Sequence, residues 1–246
     1  MVDADSEYTA AASGAGLHTL ETEDFELAEV TNDEMVAVYK SRMAKKGASG
    51  RGIYDELILS APGGCCPLCG QRNVSTLDHH LPKKLFPALA VAPLNLVPAC
   101  ADCNKLKLDA APSSREQETL HPYFDAISDD PWLAATVVET KPAAVQFFVD
   151  PPAHWDASLT ERVKRHCVLF QLPKLYAAQA APEISGIAYH LTNLYSAAPA
   201  QGAVKVRAFL VDQAESRRHA RVNSWQGAMY QALADSTWYC DGGFTI

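Results

Sequence analysis

The spacing of apolar and polar residues predicts short elements in the N-terminal half of the chain and longer helices in the C-terminal half. Thr31 begins a polar run that suits a helix cap, and apolar residues at helical spacing follow it, so a helix is predicted from about Thr31 to Gly47. A second short helix is predicted over 51–60, because Pro62 and the two glycines after it end the pattern.

The middle of the chain changes to shorter apolar runs. Val74 to His79 and Leu96-Val97 each have the length of a short strand, and the proline-rich stretch 82–93 between them predicts a connecting loop. A helix is predicted from Cys100 to Leu108. The order strand, strand, helix therefore predicts a small ββα unit.

The C-terminal half carries mostly helical patterns. A strand is predicted over 143–149, and Thr160 is expected to cap a helix that has Pro173 near its end. Pro182 and Pro199 are expected to separate neighbouring elements. Three further helices are predicted, over 183–195, 203–221 and 224–235.

Together these elements predict an α+β fold of four consecutive parts. The first residues are rich in Ala, Gly, Ser and Asp, which is typical of a solvated segment. The predicted parts are an acidic, flexible tail over 1–30, N-terminal helices over 31–62, a small core of two strands and a helix over 63–120, and a mostly helical region over 121–246.

The distribution of charge changes how the net charge of −8 is interpreted. A negative chain argues at first against nucleic acid as a partner. Ten acidic residues lie within 1–35, however, where there is no Lys or Arg, and the remainder has 21 basic and 19 acidic residues. The charge of the remainder therefore permits a partner that carries phosphate groups.

Neither a signal peptide nor a membrane span is expected. The first residues lack a basic start followed by an apolar core, and prolines interrupt the most apolar run, Phe86 to Ala101. A cytoplasmic protein without a membrane partner is the resulting expectation.

Four of the seven cysteines form two Cys-x-x-Cys pairs, Cys66 with Cys69 and Cys100 with Cys103. In a cytoplasmic chain this spacing favours a metal over disulfides. Four thiolates complete the tetrahedron that Zn2+ prefers and leave no open position, so a structural zinc ion is predicted. Four buried thiols with coincidental spacing are the alternative. Cys65 is a rival for Cys66, but only Cys66 gives the two-residue spacer, and Cys167 and Cys240 are expected to be core residues.

The segment between and beside the cysteine pairs carries oxygen and nitrogen donors in a fixed order. They occur as Asp78-His79-His80-Leu81-Pro82, then Asn95-Leu96, then CADCNKLK over 100–107. This order resembles the HNH endonuclease family, the ββα-metal nucleases that are built on a zinc-bound treble clef. The resemblance covers about 50 residues, and weaker similarity to a bacterial subgroup with a helical C-terminal region includes KKLFP over 83–87 and HPYFD over 121–125.

The resemblance implies a role for each matching residue. His79 would be the general base that deprotonates a water molecule, a task that suits an imidazole. Asp78 and Asn104 would bind one divalent ion, Mg2+ or Mn2+, because such ions prefer carboxylate and amide oxygens. Asn95 would brace the loop that holds His79. Asn104 stands where the family name has a second histidine, and this substitution favours an oxygen ligand.

Simpler interpretations compete with several of these roles. His79 could be a core or zinc-adjacent histidine, and Asn95 could cap a turn. His80 is expected to be structural, because neighbouring side chains of a strand point to opposite faces. His121 is expected to pack between the two lobes. Four lysines are candidates for nucleic-acid contacts, although a solvated basic face is an equal alternative: Lys83, Lys84, Lys105 and Lys107.

The leading hypothesis is a metal-dependent HNH endonuclease that hydrolyses phosphodiester bonds of DNA with a structural zinc ion and a catalytic Mg2+ or Mn2+ ion. A treble-clef zinc module that binds nucleic acid or protein without cutting is the alternative. A third hypothesis is an effector of bacterial anti-phage defence that stays inactive until a partner or a nucleotide signal arrives. A regulatory protein or a second copy of the chain is therefore a further candidate partner.

Overall fold

The computed structural model describes residues 2–109, 111–197 and 199–245. The chain forms two compact units. The first unit consists of residues 1–125 and 157–170, and the second of residues 126–156 and 171–246. The boundary expected at 120 lies close to the observed one at 125, but the region expected as one part over 121–246 is divided between the two units.

Among the described residues, the first unit contains a two-stranded sheet and five α-helices. The helices are α1 (Val2–Ser13), α2 (Asn32–Val38), α3 (Arg51–Leu59), α4 (Ala101–Lys107) and α5 (Ala157–Leu169). Strands β1 (Thr76–His79) and β2 (Leu96–Ala99) run antiparallel, and the register places Asp78 opposite Val97 and His79 opposite Leu96. The fold is α+β, as predicted.

The two strands and α4 form the ββα order that the sequence predicts. Helix α3 packs against both strands and α4 packs against β1. The loop between the strands contains two short 3-10 turns, Pro87–Leu89 and Pro93–Asn95. A buried apolar cluster holds the sheet against the preceding helices: Tyr39, Met43, Tyr54, Leu77 and Leu96.

Helix α2 begins where the polar run predicts. Thr31 and Glu34 form a reciprocal capping box, in which the Glu34 N–H donates to Thr31 Oγ1 (3.3 Å) and the Thr31 N–H donates to Glu34 Oε2 (2.8 Å). The helix continues as a π-helical turn, Tyr39–Ala44, three residues before Gly47. The first residue of this turn is Tyr39, whose ring contacts the candidate catalytic histidine.

The prediction of a flexible tail over 1–30 is wrong. Residues Val2–Ser13 form α1, and two 3-10 turns follow it at Leu17–Thr19 and Thr22–Phe25. Tyr8 and Phe25 are fully buried in a cluster that also contains residues of the loop after β1. The composition did not indicate this packing, because the buried side of α1 consists of Tyr8 and small alanines, while Asp3 and Glu7 are exposed and Asp5 is half-buried.

In the part of the second unit that the structure describes, there are a β-hairpin and three α-helices. Strands β3 (Leu133–Val138) and β4 (Ala144–Val149) pair antiparallel, with Leu133 opposite Val149. Helices α6 and α8 pack against the hairpin, and α7 packs against both of these helices. The helices are α6 (Leu172–Ser196), α7 (Gly202–Ala220) and α8 (Trp225–Asp235). Strand β4 was predicted over 143–149, whereas β3 was not predicted.

Two helix boundaries differ from the prediction because the prolines do not end helices here. Helix α5 begins at Ala157, before Thr160, and Pro173 lies in the first turn of α6, where its missing N–H is tolerated. Pro182 lies inside α6, whose buried face outweighs the cost of about 3 kcal/mol for an interior proline. At 25 residues α6 is the longest of these helices, yet none within the described residues is long and apolar enough to cross a membrane.

Candidate functional site

The four cysteines of the two Cys-x-x-Cys pairs converge, as predicted. Their sulfur atoms all lie within 4.8 Å of one another, and all four residues are buried. A tetrahedron around Zn2+ with bonds of about 2.3 Å has sulfur–sulfur edges of about 3.8 Å, so the four sulfurs can surround the ion with little movement. The cluster consists of Cys66, Cys69, Cys100 and Cys103.

Local backbone conformation explains why each pair presents two sulfurs to one point. After the first pair the chain turns back at Gly70, whose positive φ of 61° favours glycine, and the Gly70 N–H donates to the Cys66 carbonyl (2.7 Å). In the second pair Cys100 caps α4, and its sulfur accepts from the Cys103 N–H (3.4 Å). A knuckle and a helix start therefore supply two ligands each.

The chemistry of the donors fits a soft cation. Hydrogen bonds from the thiols of Cys103 and Cys66 lower the pKa of the Cys69 thiol, so this sulfur becomes a thiolate most readily. A metal ion would replace the remaining thiol protons. Cys65 is half-buried and lies outside the four-sulfur group, while burial raises the pKa of Cys167 to about 12. Neither is placed as a ligand.

Helix α5 supports the knuckle from a distant part of the chain. The Nε2 atom of His166 lies 2.7 Å from the carbonyl oxygen of Leu68, the residue directly before Cys69. A carbonyl can only accept, so Nε2 carries a proton. Burial lowers the pKa of His166 to about 4, which keeps the ring uncharged at neutral pH.

The side chain of His79 is held in one tautomer at the end of β1. Its Nε2 atom lies 2.9 Å from the carbonyl oxygen of Ala90, so Nε2 donates its proton there and Nδ1 keeps a free lone pair. The ring packs edge-on against Tyr39, with centroids 4.4 Å apart. Burial, together with the charge of Lys83, lowers the pKa of His79 to about 3. The residue is therefore a neutral imidazole with Nδ1 in the unprotonated form.

Asp78 is buried beside a buried lysine. Its Oδ2 atom lies 3.2 Å from Lys107 Nζ, without a well-aligned hydrogen bond, and both side chains are 5% exposed. The same Nζ donates to the carbonyl oxygen of His79 (2.6 Å). Burial raises the pKa of Asp78, while the positive charge of Lys107 opposes that shift. Lys107 thus joins α4 to both residues of the Asp-His pair.

The two asparagines occupy different places around this pair. Asn104, on α4, directs its amide nitrogen toward Thr76 Oγ1 (3.3 Å) and the Leu77 carbonyl (3.5 Å), so it lies beside the strand that carries Asp78. Asn95 is fully buried and binds both the N–H (2.7 Å) and the carbonyl (3.0 Å) of Leu81. These two bonds connect the start of the loop after His79 to its end, and a third bond, to the Leu89 carbonyl (3.2 Å), holds the middle of the loop.

His80 faces away from His79, and its surroundings are structural. It stacks on His121 with ring centroids 4.1 Å apart, and burial lowers the pKa of both rings. Tyr8 Oη lies 2.8 Å from His121 Nε2, so α1 reaches this histidine pair. His80 also lines a cavity of about 100 Å³ with Lys107 and Glu118, which has room for a few waters and not for a nucleotide. His121 therefore belongs to the interior of the first unit.

The four lysines proposed for nucleic-acid contact differ in their surroundings. Lys105 is exposed, and Lys84 is exposed and paired with Asp109 (3.1 Å). Lys83 is half-buried, with Nζ 3.5 Å from His79 Nδ1. Lys107 is buried in the ion pair with Asp78, so the expectation that it contacts phosphate from the surface is wrong.

Several contributors to the site were not found from the sequence. Lys107 carried a signal that was interpreted only as charge: it lies three residues after Asn104 and four after Cys103, so a helix places it on the same side as both. Tyr39 and the Ala90 carbonyl carry no such signal. In the HPYFD segment, Asp125 pairs with Arg162 of α5 through two bonds (2.8 and 2.7 Å), and this pair also went unpredicted.

Comparison with known proteins finds one relative of limited coverage. The chain is similar to Protein ea31 of Escherichia phage lambda, with 29% identity over 174 residues. The aligned region is 69% of this chain and 58% of the phage protein, so less than two thirds of that relative is spanned. Its name states no activity. No family model matches the chain, and no solved structure matches it.

Proposed function

We propose that this chain is a metal-dependent endonuclease of the HNH type that hydrolyses phosphodiester bonds of DNA. The observation that carries the proposal is the state of His79: the Ala90 carbonyl holds the proton on Nε2 and leaves Nδ1 unprotonated, with Lys83 Nζ 3.5 Å away. Asp78 precedes it on β1, and α4 places Asn104 beside the same strand. An acid, an amide and an unprotonated imidazole nitrogen on neighbouring elements are the groups that metal-assisted hydrolysis uses.

The donors beside His79 fit a hard divalent ion. The buried Oδ2 atom of Asp78 has no aligned hydrogen bond, so it can accept a cation, and the carboxamide of Asn104 offers a second oxygen. Asp78 and Asn104 would therefore hold Mg2+ or Mn2+. When bound, such an ion would polarise the scissile phosphate and stabilise the leaving oxygen.

The residues of the chain itself would handle the proton. His79 Nδ1 accepts a proton from a water molecule, whose oxygen forms a bond to phosphorus while the bond from phosphorus to the 3′ oxygen breaks. Lys107, bonded to the His79 carbonyl, and Tyr39, packed on the ring, keep the imidazole in place during this step. Asn95 fixes the loop that supplies the Ala90 carbonyl.

The four-thiol cluster has a separate role in this proposal. Four cysteine ligands close the coordination sphere of zinc, so the ion has no position for water or substrate. It would join the knuckle to the start of α4, the helix that carries Asn104 and Lys107. The zinc ion is therefore proposed as structural support for the catalytic centre.

A plasmid-cleavage assay tests the function. Purified protein with Mg2+ or Mn2+ is expected to nick or cut plasmid DNA, and EDTA is expected to stop the reaction. His79→Ala should lower the rate by about 10²- to 10⁴-fold while one zinc ion per chain is retained, because only the base is removed. His219→Ala, an exposed histidine of α7, is the matched control and should cleave like the unchanged protein.

One observation favours a second candidate, a zinc module that binds nucleic acid or protein without cutting it. Asp78 already has a buried cationic partner in Lys107, as a purely structural acid would. Such a module would bind DNA with the same affinity in His79→Ala and would show no hydrolysis that depends on Mg2+ or Mn2+. DNA retention without metal-stimulated cleavage would therefore replace the nuclease proposal with this one.

A further inference from the structure

Lys83 occupies an unusual place for a lysine near the surface of a proposed nuclease. It follows Pro82 in the loop after β1, and its side chain is half-buried. Its Nζ atom lies 3.5 Å from His79 Nδ1 and 5.5 Å from the centroid of the Tyr39 ring. The ring of Tyr39 thus lies against both the histidine and the lysine and fixes their relative positions.

The partner of Lys83 is the reactive nitrogen of the histidine. The other ring nitrogen of His79, Nε2, is bound to the Ala90 carbonyl, so Nδ1 is where a proton would be accepted. A separation of 3.5 Å is at the limit for a hydrogen bond, so the lysine is not committed to this nitrogen. The cationic group and the lone pair therefore border the same small region of space.

The adjacent lysine provides a contrast within the same loop. Lys84 is exposed, and its Nζ atom lies 3.1 Å from Asp109. It therefore has a carboxylate partner, whereas the nearest partner of the Lys83 ammonium is His79 Nδ1. The two lysines have the same charge and lie in the same loop, but they differ in burial and in the groups they contact. Substituting each lysine in turn therefore distinguishes a general phosphate contact from a specific one.

Building on the proposed nuclease function, we propose that Lys83 is a catalytic residue that binds a non-bridging oxygen of the scissile phosphate beside His79. Water attacks phosphorus at this point, its proton passes to Nδ1, and the bond to the 3′ oxygen breaks. Negative charge then grows on the non-bridging oxygens, and a Lys83 N–H donates to one of them while the lysine keeps its proton. A fixed donor directed at developing charge stabilises the transition state more than the bound substrate.

Single-turnover plasmid cleavage with four variants tests this assignment. Lys83→Met keeps the aliphatic stem over Tyr39 and removes the charge, and Lys83→Gln is a second neutral variant should the first fail to fold. Lys83→Arg restores the charge with a different geometry, and Lys84→Met is the matched control. Rates are measured over a range of DNA and of Mg2+ concentrations, with zinc content and melting temperature for each protein.

The expected result is a loss confined to the maximal rate. Either neutral variant at Lys83 should lower that rate by about 10²-fold, with unchanged zinc content and unchanged half-saturating Mg2+. Lys83→Arg should recover part of the rate. Lys84→Met should keep the maximal rate within about twofold, because a general contact with DNA acts on the DNA concentration needed for half-maximal rate.

Three results would overturn the assignment. A folded neutral variant that cleaves at the full maximal rate would do so, as would a loss seen only in the DNA concentration needed for half-maximal rate. A loss of the same size in Lys84→Met would show a general phosphate contact. If the unchanged protein does not cleave at all, the proposed function fails and this assignment fails with it, whereas failure at Lys83 alone leaves the nuclease function standing.

Discussion

The thiol cluster and the Asp78–His79 centre lie in the same unit but are assembled differently. The cluster takes its four sulfurs from two short segments, each with its ligands three residues apart. The centre depends on side chains and carbonyls from several distant segments, among them Tyr39, Ala90 and Lys107. A cluster defined by ligand spacing is visible in a sequence, whereas a centre defined by its supporting contacts becomes visible only in the fold.

Their polar groups are also neutralised in different ways. The cluster converges four thiols that need a metal ion to share their charge, since burial alone penalises a thiolate. Asp78 already has the charge of Lys107 beside it, and His79 is neutral. The first site is therefore expected to fail without its metal, while the second is expected to stay folded and lose function.

The largest expected effect follows from removing one zinc ligand. Cys103→Ser should lose the zinc ion and cooperative unfolding of the first unit, because structural zinc in small domains contributes about 10–16 kcal/mol of binding free energy. Cys65→Ser, next to the first pair but outside the cluster, should keep one zinc ion per chain. Elemental analysis and circular-dichroism melting measure both. A Cys103→Ser protein with full zinc content and an unchanged melting temperature would show that the four cysteines do not hold a structural zinc ion.

The second-largest expected effect, from a substitution at Lys107, should alter the Asp78–His79 centre and leave the thiol cluster unchanged. Lys107→Met should lower the free energy of unfolding by about 3–5 kcal/mol, because it leaves the Asp78 carboxylate buried without a cation, and zinc content should be unchanged. Lys105→Met, on the exposed side of the same helix, should change stability by less than about 0.5 kcal/mol. Urea unfolding of both variants measures these changes in the free energy of unfolding. Equal stabilities would mean that the buried ion pair contributes nothing measurable.

The parts of the fold predicted from the sequence are those whose signal is local. The ββα order and the Thr31 cap depend on short-range patterns, and they are observed. The docking of α1 depends on Tyr8 meeting His121, which is 113 residues away, and nothing in the local composition indicates it. The prediction that Pro182 separates two elements is wrong, because the packing of α6 overrides the low helix propensity of proline.

The same distinction between local patterns and tertiary contacts applies to the candidate site. The four cysteines and the presence of Asp78 and His79 on one strand followed from spacing and motif order. The tautomer of His79 depends on the Ala90 carbonyl, and the ion pair of Asp78 depends on Lys107, and both are contacts between segments. Motif order therefore located the candidate residues, while tertiary contacts determine their protonation states.

A pH titration tests whether the thiol cluster is as local as its spacing implies. His166 of α5 binds the knuckle, and its pKa is about 4 in the folded chain against about 6.5 when unfolded. The unfolded chain therefore binds more protons between these values, so stability should fall as the pH drops from 6.5 to 4, by about 3 kcal/mol in all.

Comparison with His166→Gln isolates this contribution, because glutamine does not titrate. Acid release of zinc would add the same slope to both proteins, so the measured quantity is the difference between their free energies of unfolding at pH 7 and pH 4. The unchanged protein should lose its advantage over the variant by about 3 kcal/mol across this range. A difference that stays constant with pH would show that the knuckle does not depend on a neutral His166.

The smallest expected effect concerns the far side of the Asp78–His79 centre, where α1 meets the stacked histidines. The Tyr123 N–H donates to His121 Nδ1 (3.2 Å), so Nε2 carries the proton that faces Tyr8 Oη. Tyr8→Phe removes this contact and should lower the free energy of unfolding by about 1 kcal/mol, with zinc content unchanged. Tyr189→Phe, at a tyrosine that is 78% exposed, should leave stability unchanged. If the two variants unfold alike, α1 contributes no polar contact to the centre, and its docking depends on apolar burial alone.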